Sequence, residues 1–329
     1  MIVLENVTKR FGAVKAVDDV SFRAEKGKFV VLLGPSGCGK STLLRLIAGL
    51  EEVSEGKVLI EGRDVTRLDP TKRRISMVFQ SYALFPHLSV AENIVFGLKV
   101  RNLPREERVD RLARVAELVG LAQQLDRKPQ QLSGGQRQRV ALARAIVSQN
   151  PICLMDEPLS NLDAQLRHDM RVEIRALQRR LGMTVVYVTH DQVEAMSMAD
   201  HVVLLREGRI EQEGTPAELY SRPESTFAAR FIGTPAMNLV PLEALQPGAR
   251  AGLTAGIRPE HIRFSENGIS ATVLTAEYHG ADTIVTAQVN GSALVVRAPG
   301  QVDLAAGSQV RLGWEPAAVH IFDSEGRKQ

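Results

Sequence analysis

Residues Phe29 to Thr42 read FVVLLGPSGCGKST. The first five are apolar, which is typical of a buried strand, and residues 41–50 after the glycines favour a helix. Between strand and helix the pattern G-x-x-x-x-G-K-[ST] is complete, and in this context its main-chain N–H groups cradle phosphates. This first glycine loop consists of Gly34, Pro35, Ser36, Gly37, Cys38, Gly39, Lys40, Ser41 and Thr42. The stretch therefore predicts a nucleoside triphosphate site directly after a buried strand.

Two pairs of side chains suit the chemistry of a bound triphosphate. Lys40 can reach the β- and γ-phosphates, and the Ser41 hydroxyl can ligate Mg²⁺. Asp156 and Glu157 follow a second apolar strand at residues 152–155. If that strand lies beside the first, Asp156 holds Mg²⁺ through water and Glu157 polarises the attacking water as a general base. The alternative is an acidic pair that only caps the next segment.

A histidine and a glutamine also follow strand-like segments. His190 comes after the apolar run 184–188, and Gln80 comes after residues 75–79. His190 is a candidate for contacting the γ-phosphate or placing the attacking water, and Gln80 for touching the metal or that water. From the residues alone, a structural histidine and an exposed turn glutamine stay open as alternatives.

A second glycine motif comprises Leu132, Ser133, Gly134, Gly135 and Gln136. It opens a helix-forming stretch, so its N–H groups lie at a helix N-terminus, where free donors and the helix dipole stabilise an anion. A single nucleotide needs only one such cradle. Either the fold brings both cradles to one triphosphate within a chain, or two chains face head to tail across two nucleotides with twofold symmetry. A turn with no ligand is the structural alternative.

Periodicity predicts an α/β fold for the first part of the chain. Buried strands alternate with amphipathic helices over roughly 230 residues, which indicates a mostly parallel sheet covered on both faces. Strand signals stop between residues 87 and 150, where Ser89 and Glu92 suit a capping box and Pro104 can begin a helix. We therefore predict a first domain at residues 1–234 that contains a helical subdomain at about 87–150.

The character of the sequence changes after residues 233–235. About five short alternating strands follow, and Asn290-Gly291 is a signal for a two-residue hairpin. This pattern predicts a small C-terminal β-barrel domain at residues 235–329. A nucleic-acid-binding barrel is disfavoured, because basic and aromatic residues are little interleaved there.

The composition is that of an ordinary globular protein. The chain has 329 residues, 44% of them hydrophobic, and a net charge of +3 with basic and acidic residues interspersed, so nothing demands a nucleic-acid partner. The apolar runs are far shorter than the ~20 residues of a membrane helix. The N-terminus carries no secretory pattern, and the two cysteines, Cys38 and Cys153, lack metal-ligand spacing. We therefore expect a cytoplasmic location.

Taken in order, these motifs resemble those of the nucleotide-binding subunit of ABC transporters. The matching segments are residues 34–42, Gln80, 132–136, 152–157, 160–163 and His190. The resemblance implies a P-loop ATPase core in which each ATP lies between the first glycine loop of one subunit and the second motif of another. It implies that Glu157 is the catalytic base, His190 the switch histidine, and Gln80 the sensor near the metal and the membrane partner. It also implies that Asp163 contacts the other subunit and that Phe11 stacks on adenine.

The C-terminal part extends the resemblance to the ATPases of carbohydrate importers, the group that contains the maltose importer. Residues 231–238 and 256–261 carry it, and residues 235–238 and 279–282 are most similar to the ATPase of the sn-glycerol-3-phosphate importer. The resemblance implies a homodimer that uses ATP and Mg²⁺, and an OB-like regulatory barrel at its C-terminus. It also implies two membrane permease subunits and, indirectly, an extracytoplasmic solute-binding protein. The protein is then peripheral on the cytoplasmic face of the bacterial inner membrane.

Two alternatives to this function remain. The first is an importer ATPase for maltose or another sugar or polyol, because no residue of an ATPase subunit need touch the solute. The second is a soluble ABC ATPase outside transport, a class that usually has two cassettes in one chain or a long coiled-coil insert. This sequence has neither feature.

Overall fold

The computed structural model describes residues 1–329, whose contacts divide them into two units, Met1–Pro216 and Ala217–Gln329. We call these the first and the second unit. None of the helices combines the length and the apolar character needed to cross a membrane. The domain boundary that we predict between residues 234 and 235 lies within the second unit. That boundary stays a prediction.

The strands of the first unit form two sheets. They are β1 (Ile2–Phe11), β2 (Val14–Ala24), β3 (Phe29–Leu33), β4 (Glu55–Ile60), β5 (Arg63–Asp64), β6 (Ile75–Val78), β7 (Ile152–Asp156), β8 (Thr184–Thr189), β9 (His201–Arg206) and β10 (Arg209–Gly214). The four-stranded sheet is antiparallel in the order β2-β1-β4-β5. The six-stranded sheet has the order β10-β9-β3-β8-β7-β6, and only its β9–β10 pair is antiparallel.

The central strands of the six-stranded sheet explain its architecture. Every residue of β3, β7 and β8 is buried. Continuous apolar runs of this kind suit parallel strands that are covered on both faces. The predicted mostly parallel sheet is therefore confirmed. Because β3, β8 and β7 are parallel neighbours, their carboxyl ends meet at one edge of the sheet, where ligands bind in open α/β folds.

Six helices accompany these strands. They are α1 (Lys40–Ala48), α2 (Val90–Val100), α3 (Arg105–Leu118), α4 (Gly134–Ile146), α5 (Ala164–Leu181) and α6 (Gln192–Met198). Helices α2 to α4 occupy the chain between β6 and β7, which confirms a helical subdomain. Its first helix begins at the predicted capping box: Glu92 N–H donates to Ser89 Oγ at 3.2 Å, and Ser89 N–H donates to Glu92 Oε2 at 2.9 Å.

The rest of the chain holds three short helices and two further sheets. The elements are α7 (Pro216–Ser221), α8 (Thr226–Phe231), β11 (Asn238–Pro241), α9 (Leu242–Leu245), β12 (Thr254–Ile257), β13 (Arg263–Tyr278), β14 (Asp282–Val289), β15 (Ser292–Pro299), β16 (Gln309–Gly313) and β17 (His320–Phe322). Both sheets are antiparallel, in the orders β11-β12-β17 and β15-β14-β13-β16. Side chains from both, such as Ile257 and Val285, share one core.

The five strands predicted here correspond to β13–β17, but β11 and β12 were missed. Each is only four residues long, and Pro241 or Gly256 weakens its strand signal. The predicted hairpin joins β14 to β15. Asn290 and Gly291 have φ values of 46° and 81°, so both adopt the left-handed conformation that a type I′ turn requires.

Asn238 links the two sheets of the second unit through its side chain. Its Nδ2 donates to the main-chain oxygens of Val295 at 2.8 Å and Ile257 at 3.2 Å, and Val295 N–H donates to its Oδ1 at 2.7 Å. The amide thus pairs with β15 as a strand would, while the Asn238 main chain pairs with β12. This side chain is buried, so nothing replaces these bonds once they are lost.

We expect Asn238→Ala to lower the thermal unfolding temperature of the protein. Each main-chain group left buried and unpaired costs about 1–3 kcal/mol. Asn238→Asp should be nearly as damaging, because a carboxylate keeps the acceptor and loses the donor. Gln288→Ala, on an exposed position of β14, is the matched control and should unfold like the wild type. An unchanged unfolding temperature for both Asn238 variants contradicts the linking role.

Candidate functional site

Three of the predicted site residues lie at one edge of the six-stranded sheet. Gly34 follows β3, Asp156 ends β7, and His190 follows β8. These three strands are neighbours in the order β3-β8-β7. Residues that are far apart in the sequence therefore meet beside the first glycine loop.

Glycines are required in the first glycine loop because its main chain is left-handed and closely packed. Gly34, Gly37 and Gly39 have φ values of 153°, 80° and 100°. A Cβ atom on Gly34 would lie 2.3 Å from the carbonyl oxygen of Leu205, and one on Gly39 would lie 2.3 Å from that of Ala16. Pro35, Ser36, Cys38 and Thr42 complete the loop and the first turn of α1.

Lys40 and Ser41 begin α1 and carry the polar groups of the loop. Lys40 is 5% exposed, and its Nζ donates to the carbonyl oxygens of Gly34 and Pro35, each at 2.8 Å. The ammonium group thus lies inside the loop in which we expect the phosphates to bind. Ser41 Oγ donates to Asp156 Oδ1 at 2.7 Å, which joins the loop to the end of β7.

Glu157 and His190 are in contact. Nδ1 of His190 lies 3.3 Å from Oε2 of Glu157, and the two side chains are 55% and 20% exposed. Glu157 has a φ of 42°, which is uncommon for a residue with a side chain. Its N–H donates to Val188 O at 3.1 Å, and its carbonyl oxygen accepts from Ser160 Oγ at 2.9 Å. These bonds hold a strained main chain, a feature that clusters at functional sites.

Gln80 lies against the segment that follows Glu157. Its side-chain Nε2 donates to Ser160 Oγ at 3.3 Å, and its main-chain oxygen accepts from Asn161 Nδ2 at 3.1 Å. The structure thus joins Gln80 to residues 160–161, and its hydrogen bonds do not include Ser41 or Asp156. Gln80 therefore reaches the site through the turn after β7.

The second glycine motif caps α4 and packs against the start of α5. Gln136 N–H donates to Ser133 Oγ at 3.3 Å, and Ser133 N–H donates to Gln136 Oε1 at 3.0 Å. A Cβ atom on Gly135 would lie 2.9 Å from Cδ1 of Leu166, while one on Gly134 would lie 3.3 Å from Leu162 Cδ2. Leu162 directly precedes Asp163, the N-cap of α5, whose Oδ1 accepts from Leu166 N–H at 3.0 Å.

The polar contacts of the two glycine motifs are with different parts of the chain. Ser133 is exposed, and no hydrogen bond or ion pair connects residues 132–136 with residues 34–42. The second motif is instead next to Asp163, at the turn that precedes α5. The two motifs predicted to bind phosphate are therefore not joined by a direct polar contact within one chain.

Phe11 ends β1 at the hairpin that leads into β2. Its side chain is 49% exposed, and Lys9 Nζ lies 4.8 Å from the centre of its ring. An aromatic face that is open to solvent can stack on a base. Strand β2 also carries Ala16, whose carbonyl lies beside Gly39, so this hairpin is attached to the first glycine loop.

Sequence reasoning missed a support of the first glycine loop. Gly208, in the turn between β9 and β10, donates its N–H to Cys38 O at 3.2 Å and accepts from Asp18 N–H at 2.8 Å. Arg209 Nη2 then pairs with Asp18 Oδ2 at 2.6 Å. These contacts join the loop, β2 and the β9–β10 turn. A glycine between two strands indicates only a turn, so the sequence carries no signal for this contact.

Comparison with known proteins agrees with this geometry. Residues 17–160 match the family described as ABC transporter, and residues 255–322 match the TOBE domain family. A dimeric, post-hydrolysis ATP-binding cassette bound to ADP and phosphate is 35% identical in sequence with a TM-score of 0.58, over 66% of this chain and 99% of that one. Fold and site together define an ATP-binding cassette ATPase.

Full-length relatives narrow this class. The sn-glycerol-3-phosphate import ATP-binding protein UgpC of Brucella abortus is 50% identical over 99% of this chain and 98% of its own length. An uncharacterized ABC transporter ATP-binding protein of Sinorhizobium fredii, y4oS, is 48% identical over 98% of this chain and 92% of its own. The chain belongs to the family of ABC importer ATP-binding proteins. The expected class, its ATP-binding core and its OB-like second domain are confirmed.

Proposed function

We propose that this chain is the ATP-hydrolysing subunit of an importer for sn-glycerol-3-phosphate. The observation that carries the proposal is the 50% identity to a protein with that name, which spans 99% of this chain and therefore includes the second unit. The second unit contains the segments that resemble the ATPases of carbohydrate importers, residues 231–238, 256–261 and 279–282. The site described above supplies the groups that ATP hydrolysis needs.

The working form is a homodimer in which two chains face head to tail. Within one chain Ser133 of the second glycine motif is exposed, the motif packs beside Asp163, and no hydrogen bond joins it to the first glycine loop. In a twofold dimer, Ser133, Gly134, Gly135 and Gln136 of one chain complete the phosphate site of the other. Asp163, next to that motif, then lies at the dimer contact.

The donor set beside the first glycine loop fits Mg²⁺. Ser41 Oγ and Asp156 Oδ1 are 2.7 Å apart, and hydroxyl and carboxylate oxygens are the ligands that this cation prefers. Ser41 would bind it directly, Asp156 through water, and Gln80 from the neighbouring turn. Bound Mg²⁺ neutralises charge on the β- and γ-phosphate oxygens.

The chain's own residues then divide the work of hydrolysis. The main-chain N–H groups of the first glycine loop and Lys40 bind the phosphates, and Phe11 stacks on adenine. Glu157 accepts the proton of the attacking water, whose oxygen bonds to the γ-phosphorus as the bond to ADP breaks. His190, 3.3 Å from Glu157, contacts the γ-phosphate and places that water.

The partners follow from this assignment. ATP closes the dimer, and closure moves two membrane permease subunits that receive solute from an extracytoplasmic binding protein. The chain is then a peripheral protein on the cytoplasmic face of the bacterial inner membrane. Hydrolysis through Glu157 reopens the dimer and resets the permeases.

An uptake experiment tests the transported solute. In a strain that lacks this gene, we expect the wild-type chain to restore uptake of labelled sn-glycerol-3-phosphate, and Lys40→Ala, which lacks the phosphate-binding ammonium, to restore none. We also expect the protein to be retained on membranes only when the permeases are co-expressed. Restored uptake of maltose or a polyol alone would contradict the proposed solute. Absence of both uptake and membrane retention would instead indicate a soluble ABC ATPase.

A further inference from the structure

The turn that carries His190 is held by a buried carboxyl group on α6. Glu194 is 3% exposed, although it lies in the first turn of a short helix next to the site. Burying a carboxyl group costs free energy unless its oxygens are hydrogen-bonded. An apolar side chain at this position would avoid that cost, so the contacts of Glu194 call for an explanation.

Two hydroxyl groups of β8 donate to the same oxygen of Glu194. Tyr187 Oη lies 2.8 Å from Glu194 Oε2, and Thr189 Oγ1 lies 2.7 Å from it. Tyr187 is fully buried, and Thr189 is the last residue of β8, directly before His190. The carboxyl group thus ties α6 to the end of the strand from which the histidine projects.

Thr189 also holds the residue that follows His190. Because its hydroxyl hydrogen is donated to Glu194, its oxygen is free to accept, and Asp191 N–H donates to it at 3.0 Å. Asp191 Oδ1 in turn accepts from the N–H groups of Val193 and Glu194 at the start of α6. The residues before and after His190, Thr189 and Asp191, are therefore both held by hydrogen bonds. Both sets of bonds include Glu194, through its side chain to Thr189 and through its main-chain N–H to Asp191.

The charged groups around Glu194 are few. Burial raises the pKa of its carboxyl group, and the hydroxyl bonds of Thr189 and Tyr187 act in the opposite direction. Asp191 raises that pKa further, and Arg167 of α5 lowers it. Arg167 Nη1 lies 3.5 Å from Asp191 Oδ2, so this cation pairs with Asp191, and the hydrogen bonds of Glu194 come from hydroxyl groups. Hydroxyl donors have defined directions, which suits a positioning role.

We propose that Glu194 is a positioning residue that, through Thr189 and Tyr187, holds the main chain around His190 so that the imidazole stays in contact with Glu157. The proposal rests on the proposed roles of His190 and Glu157 in hydrolysis. The His190 side chain is 55% exposed, and the polar contact of its ring is with Glu157, so its own side chain does little to fix it. The rigidity of the turn has to come from its neighbours.

Replacing Glu194 should change turnover more than nucleotide binding. We expect Glu194→Leu to lower kcat by about 10- to 100-fold, because small displacements of catalytic groups cost rate on that scale. ATP affinity of the monomer should stay within about twofold, since no group on the first glycine loop is altered. Glu194→Gln should retain most of the activity, because its carbonyl oxygen can accept both hydroxyl groups. Ser197→Ala, elsewhere on α6, is the control.

A second pair of variants guards against simple misfolding of Glu194→Leu. Thr189→Val has nearly the same shape but lacks the hydroxyl, whereas Thr189→Ser keeps it. We expect Thr189→Val to lower kcat and Thr189→Ser to restore much of the loss, with thermal unfolding measured for each. Equal kcat for the valine and serine variants would overturn the proposal.

Combining each change with His190→Ala separates positioning from general damage. If Glu194 acts through His190, Glu194→Leu should lower kcat little further once the imidazole is absent. An equal loss in both backgrounds would overturn the inference while leaving the role of His190 intact. Wild-type turnover of His190→Ala would overturn both the role of the histidine and the inference built on it.

Discussion

Glu157→Gln should almost abolish steady-state ATP hydrolysis while ATP binding and dimer formation persist. An amide has the shape of the carboxylate but cannot accept the proton of the attacking water, and a positioned general base contributes about 10²–10⁴-fold to rate. The substitution keeps the hydrogen bonds of the Glu157 main chain, so the strained conformation with a φ of 42° should survive. Hydrolysis is measured as phosphate release, and binding by titration with ATP.

A matched control exists for the unusual main chain of this residue. Glu61 also has a left-handed conformation, with a φ of 51°, and lies in the turn between β4 and β5. Glu61→Gln should hydrolyse ATP like the wild type. That result would show that glutamine in a left-handed turn does not by itself lower hydrolysis, so the loss in Glu157→Gln would be due to the missing proton acceptor. Near-normal turnover of Glu157→Gln would remove Glu157 from the role of general base.

Ser133→Asp should abolish hydrolysis and leave ATP binding to the isolated monomer unchanged. Aspartate caps helices as well as serine does, so α4 should remain folded. Its negative charge, however, would face the phosphates that we expect this motif to bind in the partner chain. Removing one preorganised donor from a developing anion already costs about 10²–10³-fold, and a repelling charge should cost at least as much.

The chain offers a closely matched control and a mixing test for this prediction. Ser89 caps α2 through the same reciprocal pair of hydrogen bonds, so Ser89→Asp introduces the same charge at a helix to which we assign no role in nucleotide binding. Mixing Ser133→Asp with Lys40→Ala should restore part of the activity, because one site of the mixed dimer then combines two intact halves. Loss of ATP binding by the Ser133→Asp monomer, or no recovery on mixing, would indicate that both cradles act within one chain.

Much of the fold could be predicted because its signals are local. The apolar run Phe29–Leu33, the glycines after it and the capping box at Ser89 each depend on a few consecutive residues. The four-residue strands β11 and β12 escaped prediction because they are too short for a periodic pattern and are held by pairing. The link from Asn238 to β15 likewise joins residues that have no local relation.

The sequence by itself determined which chemical groups are present and how each local segment is built. The order of its motifs pointed to the ATPase class and to two separate phosphate cradles, since glycine conformation and helix capping are settled within a few residues. Only the tertiary structure decided which groups meet: Ser41 with Asp156, Glu157 with His190, and Glu194 with the strand before the histidine. The physical reason is the parallel sheet, which brings the carboxyl ends of β3, β8 and β7 to one edge whatever the length of chain between them.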